Sequence, residues 1–92
     1  MIKVRAKIKL YSGINKRTTP FTNGYRPLFN VLEETKTSGM IALLDREEFH
    51  PGDEGVVEIK FLNADCIEGT QFLFYEGEEP LGEGVVLDVL SP

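Results

Sequence analysis

The sequence predicts an all-β fold of about six short strands, a sandwich or a barrel, on three observations. Apolar and polar residues alternate in short runs. Glycine and proline punctuate the gaps between runs. No segment shows the apolar period of a capped helix. A closed barrel is favoured over an open sheet because closure removes unpaired edges.

Met1–Tyr11 is the clearest element. Ile2, Val4, Ala6, Ile8 and Leu10 alternate with Lys3, Arg5, Lys7 and Lys9. A period of two places one face in a core and the other in water. The cationic face also discourages strand-to-strand association. Residues 12–27 show no periodicity and contain Gly13, Pro20, Asn23-Gly24 and Pro27. An irregular stretch of that length usually carries function or moves. Leu28–Leu32 is a short strand with Phe29 and Val31 on one face. A polar turn at Glu34–Thr37 leads into a strand at Lys36–Leu44, and Asp45–Glu48 is an acidic loop. His50-Pro51-Gly52-Asp53 has the order of a type II turn. Val56–Leu62 alternates Val57, Ile59 and Phe61 with Glu58 and Lys60. Gln71–Tyr75 pairs Phe72 with Phe74, Glu76–Pro80 is a tight turn, and Leu81–Leu90 sets Val85, Leu87 and Val89 opposite Asp88. Phe21, Tyr25 and Phe29 are large enough to plug a barrel end.

Composition bounds the function. The chain has 92 residues, enough for one domain spanning 1–92 with one modest core. No apolar run approaches membrane-spanning length, and no leader pattern opens the sequence. The single Cys66 has no internal disulfide partner, so a reducing, cytoplasmic setting is expected. The net charge is −5. Residues 1–44 carry eight Lys or Arg against two Glu, whereas residues 45–92 carry two against thirteen Asp or Glu. An acidic whole disfavours generic polyanion binding. The halves of a barrel chain interleave in space, however, so this split need not become a polar surface.

The residues nominate no catalytic chemistry. His50 has no second His or Cys at ligand spacing, so no metal site is expected. Cys66 lies in no electropositive setting that would activate a thiol. The many carboxylates fit solvated turns. Gly77–Gly84 is glycine-rich but carries glutamates and no Lys, so it cannot cradle a phosphate. No enzyme activity, cofactor or bound nucleotide is expected.

Three segments together carry a resemblance. Arg17–Val31 reads RTTPFTNGYRPLFNV, His50–Phe61 reads HPGDEGVVEIKF, and Phe72–Val86 reads FLFYEGEEPLGEGVV. In this order and spacing they resemble the C-terminal barrel, domain three, of the elongation factor Tu family: RHTPF-x-x-GYRPQF, MPGDN and the FAIREGGRTVGAGVV hairpin. The resemblance covers nearly the whole chain and implies a six-stranded antiparallel barrel. It further implies a surface that in the family helps to hold the T-stem of transfer RNA, packs on the GTPase domain and contacts the nucleotide exchange factor. Carried over by position, Arg17 matches an RNA-facing arginine, and Thr18 stands where the family has histidine. Thr37 or Ser38 lies near a threonine touching the RNA backbone. Glu76-Gly77 matches the RNA-facing turn. Leu28 replaces a family glutamine, Glu78-Glu79 replaces Gly-Arg, and Glu83 replaces alanine. An arginine reversed to glutamate at a phosphate-facing turn opposes RNA binding.

The leading expectation is therefore a cytoplasmic, non-catalytic binding module without its own GTPase. It would engage a protein partner or a translation-related complex, and no membrane. The candidate contact residues are Lys16, Arg17, Thr18, Tyr25, Arg26, Thr37, Glu76 and Gly77. One alternative is an RNA-binding module using Lys16, Arg17, Arg26 and the Lys3, Arg5, Lys7 and Lys9 face. Another is a fragment of a longer translation factor. An alternative for Arg26 is a partly buried arginine, tied to carbonyl oxygens or a carboxylate instead of contacting RNA.

Overall fold

The computed structural model describes residues 1–13, 16–32 and 35–91. Every regular element among them is a strand: β1 (Ile2–Leu10), β2 (Phe21–Thr22), β3 (Leu28–Leu32), β4 (Thr35–Leu43), β5 (Glu48–Phe49), β6 (Glu54–Phe61), β7 (Gln71–Tyr75) and β8 (Pro80–Ser91). Six of them close a barrel in the order β1-β6-β4-β3-β7-β8, and β2 pairs with β5 in a separate ribbon. Each neighbouring pair is antiparallel. The expected barrel is thus present, with two short strands added. Neither is expected from the sequence, because two residues are too few to display alternation. Ile14, Asn15 and Glu34, which fall in the expected crossing loop and polar turn, lie outside the described residues. Thr35–Thr37 already belongs to β4.

β1 buries Ile2, Val4, Ala6, Ile8 and Leu10 and turns its cations outward, as alternation requires. It is clasped on one side by β6, from Ile2↔Phe61 to Lys9↔Glu54. On the other side lies β8, from Lys3↔Ser91 to Leu10↔Gly82. The inner faces meet in one cluster that includes Phe29, Ile41, Ile59, Phe61, Phe72 and Phe74. Phe29 meets Phe61 edge-on at 5.0 Å and Phe72 at 5.6 Å, the geometry that aligns ring edges with ring faces. Each such side chain contributes about 1.5–3 kcal/mol by leaving water.

Two sequence expectations are corrected here. The inward residue of β8 is Val86, 1% exposed, whereas Val89 is 43% exposed. The register of β1 on β8 slips between Lys3 and Val4 and again between Arg5 and Ala6. Before either slip, Gly82, Gly84 and Val86 already face inward opposite Leu10, Ile8 and Ala6, and two glycines give alternation no apolar signal; the slips beyond leave Leu87 and Leu90 unpaired. The second correction concerns the end plug. Phe21 stacks on Tyr25 at 4.7 Å and on Phe49 at 5.2 Å. Phe29 instead lies in the mid-barrel cluster, because it faces inward from β3 opposite Phe74 and Thr37. Phe49, delivered by β5, takes the place expected of Phe29.

Glycines in β8 make room for these rings. A Cβ on Gly84 would lie 2.5 Å from Cζ of Phe72, and one on Gly82 would collide with Phe74 and with the Lys9 carbonyl oxygen. The aromatic rings therefore lie flat on bare backbone. At Asn23-Gly24 the chain turns with Gly24 at φ 92°, a conformation that side chains disfavour. Behind that turn Asn23 Oδ1 accepts the Leu43 amide at 2.8 Å, and Tyr25 bridges Ile41. The GYRP segment thus lines β4 where β3 has not yet begun.

Candidate functional site

The end of the barrel beneath the β2–β5 ribbon gathers half of the nominated residues. Arg17 folds back over its own loop. Its Nε donates to the Thr19 carbonyl oxygen at 2.8 Å and its Nη2 to that of Pro20 at 3.3 Å. Nη1 reaches Glu76 Oε2 at 2.8 Å and the Tyr25 hydroxyl oxygen at 3.3 Å. The Tyr25 hydroxyl donates to the same Glu76 oxygen at 2.6 Å. The guanidinium also sits 4.8 Å from the Tyr25 ring centroid, which adds a cation–π attraction.

The electrostatic result is a closed triad. The Arg17 side chain is 19% exposed and that of Glu76 is 58% exposed. Burial, then the hydrogen bond to Glu76 and its charge, push the Tyr25 phenol well above its ordinary 10.0, with Arg17 opposing. Tyr25 therefore stays protonated and donates at neutral pH. The arginine is committed to a carboxylate and two carbonyl oxygens, and offers little free charge to a phosphate.

The other nominated residues scatter around this triad. Gly77 follows Glu76 at φ 93°, and its carbonyl oxygen faces Lys36 Nζ at 3.4 Å. Lys36 also caps the Tyr75 ring at 4.1 Å from the centroid. Neither Lys36 nor Tyr75 was nominated. They meet only because β3 joins β4 to β7 across the barrel wall, and no local signal marks that. Lys16 lies 5.6 Å from the Tyr11 ring centroid, and Thr18 is exposed beside Arg17. Thr37 is only 7% exposed and points into the barrel, since it shares the inner face of β4 with Gly39 and Ile41. Ser38, the next residue, is exposed.

Arg26 departs from one of its two expected roles, that of a partly buried arginine. It is exposed, and its side-chain contact is Nη2 to Met40 Sδ at 3.9 Å. Between Tyr25 and the buried Pro27, alternation turns it outward. The anchored arginine of the segment is Arg17, because it precedes the Thr-Pro turn whose carbonyl oxygens face back towards it.

The cationic row of β1 is threaded between acidic strands. Lys3 pairs with Glu58 at 3.1 Å, and Arg5 pairs with Asp88. Lys9 stands across from Glu54 on β6 and Glu83 on β8. Lys7 stands across from Val56 and Val85 instead. The opposite charges of the two sequence halves are therefore interleaved on one wall. A shallow groove of about 500 Å³ crosses that wall, with Lys7, Lys9, Glu54, Glu83, Gln71 and Leu73 among its lining. Its charges balance in sign.

Cys66 is buried, and burial followed by the nearby Asp65 charge pushes its thiol up, away from the thiolate. Among the described residues, no group of three or more His, Cys, Asp or Glu is placed to hold a metal ion. No helix among them is long and apolar enough to cross a membrane. No family model matches the chain.

Proposed function

We propose that this chain is a non-catalytic interaction module related to the elongation factor Tu C-terminal barrel. It acts in the cytoplasm on a protein partner or a translation-related complex, without a GTPase of its own. One observation carries this reading: Arg17 and Glu76, the two residues whose family counterparts face RNA, are bound to each other through Nη1 and Oε2 at 2.8 Å. A cation that is already neutralised releases few counterions on meeting a phosphate, and so contributes little affinity. The exposed Glu78 and Glu79 beside it add repulsion towards RNA and suit a partner with a basic or polar contact surface.

The decisive experiment is a low-salt titration of fluorescent transfer RNA, run beside affinity purification with wild-type and Glu78→Lys/Glu79→Lys bait. The reading expects no saturable RNA binding and a protein partner that the charge-reversed bait loses. Tight, steeply salt-dependent RNA binding with no specific protein partner would sink it.

An RNA-binding reading has one specific support. Lys7 is exposed on β1, faces Val56 and Val85, and forms no ion pair among the described residues. That reading expects Lys7→Ala to weaken RNA binding uniformly across sequences.

A further inference from the structure

Two rows of side chains cross the outer wall where the segment entering β3 meets β4 and β6. Tyr25 bridges Ile41, which sets Arg26 beside Met40, and Met40 pairs in register with Lys60. Two residues along, Leu28 pairs with Ser38, and the Leu62 amide donates to the Ser38 carbonyl oxygen at 3.2 Å. Alternation turns all six side chains outward, since Pro27, Gly39 and Phe61 between them are buried. The first row reads cation, apolar, cation. The second reads apolar, polar, apolar.

Neither cation is neutralised. Among the described residues, Arg26 and Lys60 form no ion pair. Glu58, two residues before Lys60, is held by Lys3 at 3.1 Å, and Asp65 lies beyond Leu62 in a hollow at the barrel end. The apolar members are equally uncovered, with Leu28 39% and Leu62 45% exposed. A further hollow of about 110 Å³ opens beside Met40, with Ala42 and Lys60 in its lining. On a chain of net charge −5, this wall is locally positive and apolar.

We propose that this face docks an acidic amphipathic helix of a protein partner, laid across the strands. The docking face rests on the protein-partner reading and gives that partner a chemistry. The two free cations call for carboxylates. A phosphate backbone would meet Arg26 and Lys60 but set charge against Leu28, Met40 and Leu62, so the apolar members select protein. Spacing selects the helix. Arg26 and Lys60 stand two strand spacings apart, about 10 Å, as do Leu28 and Leu62. Helix residues i and i+7 lie about 10.5 Å apart on one face, with i+3 and i+4 between them. Same-face residues of an extended strand fall roughly 7 or 13 Å apart and match neither row. The matching helix carries Asp or Glu at i and i+7, an apolar side chain between them over Met40, and a flanking apolar stripe over Leu28 and Leu62.

Display selection against the 92-residue chain tests this, using random peptides of about 18 residues, long enough to hold a helix. The Arg26→Glu/Lys60→Glu variant serves as the counter-target. The expected consensus has acids seven residues apart around a central apolar residue. In fluorescence anisotropy, a selected peptide should bind about tenfold or more weakly to Arg26→Glu/Lys60→Glu and to Leu28→Ala/Leu62→Ala. It should bind equally to Glu47→Lys, in the exposed loop before β5. Circular dichroism verifies that each variant keeps its fold. Amide shift changes in the wild-type chain, centred on Met40 and Lys60, give a reading that needs no variant. The absence of an acidic consensus, or peptides that bind the charge-reversed chain as well, overturns the inference. Peptides that need Glu78 and Glu79 but not Arg26 and Lys60 overturn it and leave the protein-partner reading standing. Transfer RNA held through Arg26 and Lys60, with no peptide consensus, overturns both. Self-association that Arg26→Glu/Lys60→Glu abolishes in sedimentation gives the face to a second copy instead.

Discussion

Tyr25 donates its phenolic hydrogen bond to Glu76 Oε2 at 2.6 Å, across 51 positions of sequence. That contact, shared with Arg17, staples the irregular segments on both sides of β2 to the turn between β7 and β8. Two otherwise independent surface segments thereby hold one geometry.

The staple is measurable. Tyr25→Phe should cost about 1 kcal/mol, the net value of one such bond. A double-mutant cycle of Arg17→Ala and Glu76→Ala should give a coupling of about 0.5–1 kcal/mol, since Glu76 is largely solvated. Urea unfolding measures both. A coupling near zero would show that the loop and turn are held independently.

Alkaline pH should loosen the same contact. The folded pKa values of Tyr25 and Tyr11 both lie above the ordinary 10.0, first through burial and then through Glu76 and Glu83 respectively. A group raised on folding contributes stability in full below its unfolded pKa and loses it as pH climbs through the folded one. Stability should therefore hold to about pH 10 and fall above it. Phenolate absorbance followed against pH should show late ionisation that Tyr25→Phe removes in part. Early ionisation of Tyr25 would contradict the buried bond.

Gly84→Ala should destabilise the barrel by about 1–3 kcal/mol, because its Cβ meets the Phe72 ring. Phe72→Leu removes that ring, so the double variant should lose less than the two single losses combined. Thermal melts of the three variants decide it. Strict additivity would mean that the glycine serves the backbone alone.

Asn30 does a strand's work with its side chain. β3 and β7 pair only at Leu28↔Tyr75 and Phe29↔Phe74, and then Asn30 Oδ1 accepts the Leu73 amide at 2.6 Å. Asn30→Ala should leave that partly buried amide without a partner and cost about 1–3 kcal/mol. Hydrogen exchange at Leu73 should accelerate more than at Phe72, which faces β8.

Much of the barrel could be read from side-chain alternation. β1, β3, β6 and β7 fall within two residues of their expected bounds, because each has one buried face. The inward face of β8 is hidden from alternation, because two of its inward positions, Gly82 and Gly84, carry no side chain. β2 and β5 are too short to alternate, so Phe49 could not be recognised as a plug. At the candidate site, Arg17, Tyr25, Glu76 and Gly77 were nominated and are brought together. That Glu76 neutralises Arg17 was not legible, because it depends on a contact over 59 positions. The anchoring role suggested for Arg26 is filled by Arg17, since both precede a proline-containing segment and only geometry shows which one faces carbonyl oxygens.

The position of β1 between β6 and β8 bears on how the chain is made. Ile2–Leu10 is synthesised well before Pro80–Ser91, yet that late strand is one of its two hydrogen-bonding neighbours. The barrel therefore cannot close while synthesis is still in its middle, and closure depends on contacts between residues remote in sequence, a slow route. During that interval the apolar residues of β1 are separated one by one by lysine and arginine. The nascent segment stays dispersed until its late partner arrives.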